Sequence, residues 1–151
     1  MTETEKEARV AKARAFFKQG YGCCQSVVMA YSDIVELPEE TIARLVCGLG
    51  GGVARQREVC GCVSAMAIVA GALRPALSCR DDRAANYVLV QEMSRRYREA
   101  NGSIVCREIL GLRTGAVESP VPGERTAEYY RSRPCETLVG CAAGIIADFC
   151  D

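Results

Sequence analysis

Histidine and tryptophan are both missing from this 151-residue sequence, and the first absence excludes most. Without an imidazole there is no Ser-His or Cys-His catalytic pair, no His-ligated zinc or Rieske-type centre, and no c-type haem attachment motif. Net charge is missing too. Nineteen basic residues balance nineteen acidic ones and no long basic stripe stands out, so neither nucleic acid nor an anionic membrane is an expected partner. The longest charge-free stretch, Val59 to Leu73, is 15 residues, short of the roughly 18 that span a bilayer, and direct membrane insertion is not expected. The N-terminal Met1-Thr2-Glu3-Thr4-Glu5-Lys6-Glu7 has no apolar signal-peptide run, which points to a cytoplasmic protein.

Cysteine, by contrast, is abundant at 10 of 151 residues. A chain this long, read as one domain over residues 1–151, buries enough surface to fold without cross-links or a metal. In a reducing compartment, closely spaced cysteines more often bind metal or carry redox chemistry than form permanent disulfides.

Ala, Val, Leu and Ile recur at helical spacing, and no run alternates as a strand would. The expected fold is all-α, an irregular bundle of six or seven helices. Residues 4–19 form an amphipathic helix with Val10, Ala13 and Phe17 on one face, stopped at Gly20. Further helices are expected over 23–35, from Pro38 to near Gly48, over 59–73 until Arg74-Pro75, over 80–100 behind an N-cap at Ser78, over 106–110, and over 135–149. Pro120 and Pro122 mark the clearest loop. The acid pairs Glu39-Glu40 and Asp81-Asp82 fall in first helical turns, where the helix dipole accounts for them. Arg95, Arg96 and Arg98 make a cationic helix end, and Ser26 and Ser64 have no histidine base. Gly48 to Gly52 lacks the lysine and preceding strand of a phosphate loop; its glycines are expected to let the chain turn and bring Cys60 near another helix.

Cys23, Cys60, Cys106 and Cys135 fall at or near predicted helix starts. There, unpaired amides and the dipole stabilise a thiolate, which is both nucleophile and metal ligand. Cys60 is expected to be the most reactive, exposed by the flexible glycines and near Arg55 and Arg57. Cys47, Cys79 and Cys141 read as packing residues and Cys150 as part of a frayed end. Two local pairs stand out, Cys23-Cys24 and Cys60-Gly61-Cys62. Residues at i and i+2 lie about 200° apart on a helix, so both sulfurs of the second pair share a site only if Gly61 belongs to the preceding turn.

Gly20-Tyr21-Gly22-Cys23-Cys24-Gln25-Ser26-Val27, Gly48-Leu49-Gly50-Gly51-Gly52, Glu58-Val59-Cys60-Gly61, Cys106-Arg107-Glu108-Ile109-Leu110-Gly111, and Cys135 with Leu138-Val139 together resemble the C_GCAxxG_C_C family of redox-active proteins. The resemblance runs from about Gly20 to Val139, and its four characteristic cysteines fall on Cys23, Cys60, Cys106 and Cys135. The family's CGAxxG signature reads here Cys60-Gly61-Cys62-Val63-Ser64-Ala65, with Cys62 in place of alanine and Ala65 in place of the last glycine. Cys24 likewise replaces a usual alanine. Related helical domains occur in split-Soret cytochromes, where the cysteines look suited to a non-haem iron or iron–sulfur centre.

The resemblance implies a redox site at Cys23, Cys60, Cys106 and Cys135 and supplies no reaction; joined to the helix-start reading and the N-terminus, the leading expectation is a cytoplasmic redox-active protein with those four cysteines as its catalytic set, working by thiol–disulfide or electron transfer with a redox partner. An iron–sulfur cluster or other metal would be held by Cys23, Cys60, Cys106 and Cys135, with Cys62 joining. The alternative is a non-enzymatic metal-binding or transporter-accessory module with largely structural cysteines. The oligomeric state, monomer or homo-oligomer, stays open.

Overall fold

The computed structural model describes residues 1–75, 79–115 and 118–151. Its described residues form helices α1 (Glu3–Lys18), α2 (Cys23–Met29), α3 (Ser32–Val35), α4 (Glu39–Leu45), α5 (Gly50–Val53), α6 (Gly61–Leu73), α7 (Arg80–Asn101), α8 (Cys106–Ile109), α9 (Ala127–Ser132) and α10 (Cys135–Ala147). Among these residues there is no strand, only one isolated antiparallel bridge between Val59 and Val105. Among the described residues no helix is long and apolar enough to cross a membrane. The fold is all-α, as the periodicity implies.

The most apolar helices, α6 and α10, pack together at the centre, and α1 lies along α10. Gly140 and Gly144 make that approach close: a Cβ at 140 would stand 3.1 Å from Arg14 Cδ and 3.4 Å from Val10 Cγ1. Phe17, Val27, Met66, Val69, Tyr97, Val139 and Ile146 fill the core. Helix α7 buries Met93 and Tyr97 in it, with Leu89 and Val90 packed against its edge.

Three local expectations are corrected. The helix predicted over 23–35 breaks at Tyr31 (φ −117, ψ 24), whose buried hydroxyl donates to Ala143 O at 2.5 Å. A core hydrogen bond across 112 positions overrides local helix continuity. The C-terminus is not frayed: Cys150 is buried, and the Met1 ammonium donates to its carbonyl at 2.7 Å. The predicted N-cap Ser78 lies outside the described residues; Cys79 caps α7 instead, its Sγ accepting from Asp82 N at 3.4 Å. Helix α9 was not anticipated.

The glycine run does more than break a helix. Gly51, Gly52, Val53, Ala54 and Arg55 all have φ between 51 and 67, a stretch of left-handed backbone that costs roughly 1–2 kcal/mol at each non-glycine position. Hydrogen bonds from Ala54 N to Gly48 O (2.8 Å) and Glu58 N to Gly52 O (2.9 Å) hold it. Val53→Gly should therefore stabilise the protein by up to about 1 kcal/mol, strain relief exceeding the entropy that glycine adds to the unfolded chain. A urea midpoint that falls would show that this backbone carries no strain.

Candidate functional site

The four helix-start cysteines meet at one end of the bundle. Cys23, Cys106 and Cys135 are the first residues of α2, α8 and α10, and Cys60 is the N-cap of α6. Local geometry and tertiary contacts both place them. Cys60 N donates to Ile104 O at 2.8 Å and Cys106 N to Glu58 O at 2.7 Å, so the short bridge clamps these two segments together. Gly52 (φ +64) permits the clamp: a Cβ there would meet Glu58 N at 2.6 Å and Cys106 Cβ at 2.7 Å. Gly61 plays the same part for α2, since Cys23 Sγ and Leu49 O press against its bare Cα.

Gly61 belongs to the helix, not to the preceding turn. The sulfurs of Cys60 and Cys62 nevertheless share a site, because the non-helical residue is Cys60 itself (φ −54, ψ 134). The Cys62 thiol lies between Cys60 and Cys23 electrostatically, acting on the protonation of both, and all three line the same recess. On its far side Cys60 Sγ lies 3.3 Å from the hydroxyl of Tyr97, a residue fully buried in the core.

These three thiols have an uneven charge preference. The Cys62 thiol lowers the Cys60 pKa to about 6 against the opposing effect of burial, with help from Tyr97 and the backbone amides of Cys62 and Val63. Cys23 is lowered by the same Cys62 thiol and by the amides of Gly51 and Cys24. Cys62, between them, is pushed well up because its proton serves both neighbours, with burial adding to the effect. Negative charge is therefore favoured on Cys60 and Cys23 over Cys62. Burial raises Cys135 to about 12 and also raises Cys106, where Arg57 opposes it. Tyr97→Phe should leave the fold intact and raise the pH midpoint of Cys60 alkylation, because one of the thiolate's donors is lost. Mass spectrometry of the Cys60 peptide across pH would show it; an unchanged midpoint would remove Tyr97 from the site.

All four helix-start cysteines, with Cys62 and Cys47, line one recess of about 620 Å³. Phe17, Ile109, Leu110, Pro120, Tyr129 and Leu138 supply apolar wall. Arg55, Arg57, Arg125 and Arg133 supply charge, and among the described lining residues there is neither Asp nor Glu. Glu118 stands behind the lining, pairing with Arg55 (3.0 Å) and Arg57 (3.3 Å).

Several sequence expectations about individual residues change. Cys60 is buried at 5% exposure rather than exposed by the glycines. Arg57 does not serve Cys60 through a direct contact; its Nη1 donates to Cys106 Sγ at 3.6 Å. Cys47 and Cys79 are exposed rather than core residues, and half-buried Cys141 accepts from Asn101 Nδ2 at 3.4 Å. Cys24 faces the hydrophobic core, and burial raises its pKa. Tyr97, Glu118, Arg125 and Arg133 were missed. Tyr97 alone left a signal, four residues beyond the apolar Met93 on the same face of α7.

Among the described residues, no three Cys, Asp or Glu side chains are grouped to hold one metal ion. The donor chemistry of the recess still suits an iron–sulfur group: four cysteines from four segments, with guanidinium charge to balance anionic sulfur.

A family profile described as "Putative redox-active protein (C_GCAxxG_C_C)" matches residues 21–149, and the chain belongs to that family. Comparison with curated proteins and with solved structures found no match.

Proposed function

We propose that this member of the C_GCAxxG_C_C family is a thiol–disulfide redox protein in which Cys60 attacks, Cys62 resolves and Cys23 takes a proton. What supports this reading is the gathering of Cys23, Cys60 and Cys62 along one recess, with Cys60 as a non-helical N-cap beside the Tyr97 hydroxyl, its pKa lowered while that of Cys62 is raised. The Cys60 thiolate attacks one sulfur of a disulfide RSSR, forming a Cys60–SR mixed disulfide and releasing RS⁻. Cys60 is then uncharged, so the reason for Cys62 to keep its proton is weakened. That proton passes to the neighbouring Cys23 thiolate, and the new Cys62 thiolate attacks Cys60 Sγ. A Cys60–Cys62 disulfide forms and the second RS⁻ leaves: two electrons have moved from the protein to the substrate. Two residues along a chain lie at most about 7 Å apart, within disulfide reach.

The test is anaerobic treatment of the fully reduced protein with bis(2-hydroxyethyl) disulfide. Two of the ten thiols should be lost, and the cross-linked peptide should contain Cys60 and Cys62. Cys60→Ser should lose neither. Ten unreactive thiols, or equal loss in that variant, would overturn the reading.

A second reading is favoured by the presence of Cys106 and Cys135 in the same recess, beside Cys23, Cys60 and Cys62. Cys23, Cys60, Cys106 and Cys135 would then hold an iron–sulfur cluster, which supplies one-electron transfer when bound. Around it this chain would supply the charge of Arg57 and Arg133 and the apolar cover of Ile109 and Leu138. Stoichiometric iron and acid-labile sulfide after anaerobic purification, lost in Cys106→Ser and Cys135→Ser, would select it.

A further inference from the structure

We infer that the substrate of this recess is a small organic disulfide carrying carboxylates, held through Arg133, Arg125 and Arg55; this rests on the dithiol reading above. Three observations lead there. First, size and access: Cys60 and Cys62 are 5% and 0% exposed and both line the recess, so a disulfide on a flat protein surface does not reach them. A volume of about 620 Å³ falls in the range of small-ligand sites.

Second, charge. The protein as a whole is neutral, yet four arginines and no carboxylate line the recess among the described residues. Two of the four carry no acid partner there. Arg125 lies over Phe17 (4.1 Å) and Tyr129 (5.0 Å) and gives one donor each to the carbonyls of Phe17 and Tyr21, which leaves three of its five N–H groups. Arg133 lies against the Tyr129 ring, at 6.0 Å, and has no salt bridge among the described residues. The Nε of Arg55 is buried with no hydrogen-bond partner, although the same guanidinium pairs with Glu118. Uncompensated guanidinium charge beside apolar wall favours an anion with an organic body. Third, the apolar wall argues against a bare inorganic anion, which would leave Ile109, Leu110 and Leu138 without a partner. The product thiols carry the same carboxylates, so exchange is reversible and its direction follows the relative potentials.

The experiment compares three disulfides of similar size, 3,3′-dithiodipropionate (dianion), bis(2-hydroxyethyl) disulfide (neutral) and cystamine (dication). Loss of two thiols is followed anaerobically at low salt, and each rate is divided by that of dithiothreitol with the same disulfide. The dicarboxylate should exceed the neutral compound at least tenfold and the dication by more, with the advantage shrinking as salt rises. Arg133→Gln should cut the dicarboxylate rate about five- to tenfold and leave the neutral rate within twofold. A dicarboxylate no faster than the neutral compound, or an Arg133→Gln variant slowed equally with all three, would overturn the substrate assignment while the dithiol reading stands. If none of the three removes thiols, the dithiol reading falls with it.

Discussion

Alanine at position 61 should lower the melting temperature by about 5–10 °C, from roughly 2–3 kcal/mol of overpacking in a chain of this size. Helix propensity alone gives the opposite sign, since glycine within a helix is about 1 kcal/mol worse than alanine. The contacts decide. A Cβ at 61 would overlap Cys23 Sγ, stand 2.8 Å from Leu49 O and 3.3 Å from Cys24 N. Two of these are backbone atoms, and the sulfur is held by the amides of Gly51 and Cys24, so none can swing aside. Gly71, in the same helix, has nothing within 4 Å of its absent Cβ. Gly71→Ala should therefore be neutral or stabilising by up to about 1 kcal/mol. Thermal melts of the two variants make the comparison, and equal shifts would mean that Gly61 is no contact point. The displaced Cys23 sulfur should also leave Cys62, so Gly61→Ala should raise the Cys23 alkylation midpoint.

Cys62→Ala should move the pH midpoint of Cys60 alkylation from about 6 toward the ordinary thiol range near 8.5. The sign follows from the proton: with Cys62 gone, two thiolates that shared a donor face each other without one, and the neutral form of Cys60 gains. Alkylation should then keep rising above pH 7 instead of reaching its plateau there. The rate at pH 7 falls only several-fold, because a more basic thiolate is also a stronger nucleophile. Cys62→Ser separates two roles. Its hydroxyl retains a donor, so the midpoint should stay low, but the mixed disulfide on Cys60 should persist because no sulfur is present at 62 to resolve it. A low midpoint in the alanine variant would mean that Tyr97 and the backbone amides alone hold the Cys60 thiolate.

The position of Cys62 gives these experiments a wider meaning. Cys62 acts on Cys60 and Cys23, whereas Cys106 and Cys135 line the same recess beside that trio. An iron–sulfur function would engage Cys106 and Cys135; a dithiol function engages Cys62. Serine substitution at each of the three, read by iron and sulfide content and by thiol counting, separates the two functions.

The sequence by itself determined the all-α fold and the helix starts at which four cysteines sit, though not the break at Tyr31 or helix α9. Periodicity, the glycine breaks and Pro134 before Cys135 act within one or two turns, and local signals of that kind survive in any context. It also excluded imidazole chemistry, since composition needs no coordinates. Tertiary structure decided which sulfurs meet and what faces them. Tyr97 reaches Cys60 across 37 positions, and Glu118 reaches Arg57 across 61. Arg125 reaches the Phe17 carbonyl across 108. Cys60 and Cys62 come together because one backbone residue leaves the helix, and Cys24, adjacent to Cys23 in sequence, turns to the core instead. Thiol pKa values and the charge of a recess are set by groups within a few ångströms in space, and those distances come into being only when helices from distant parts of the chain pack end to end.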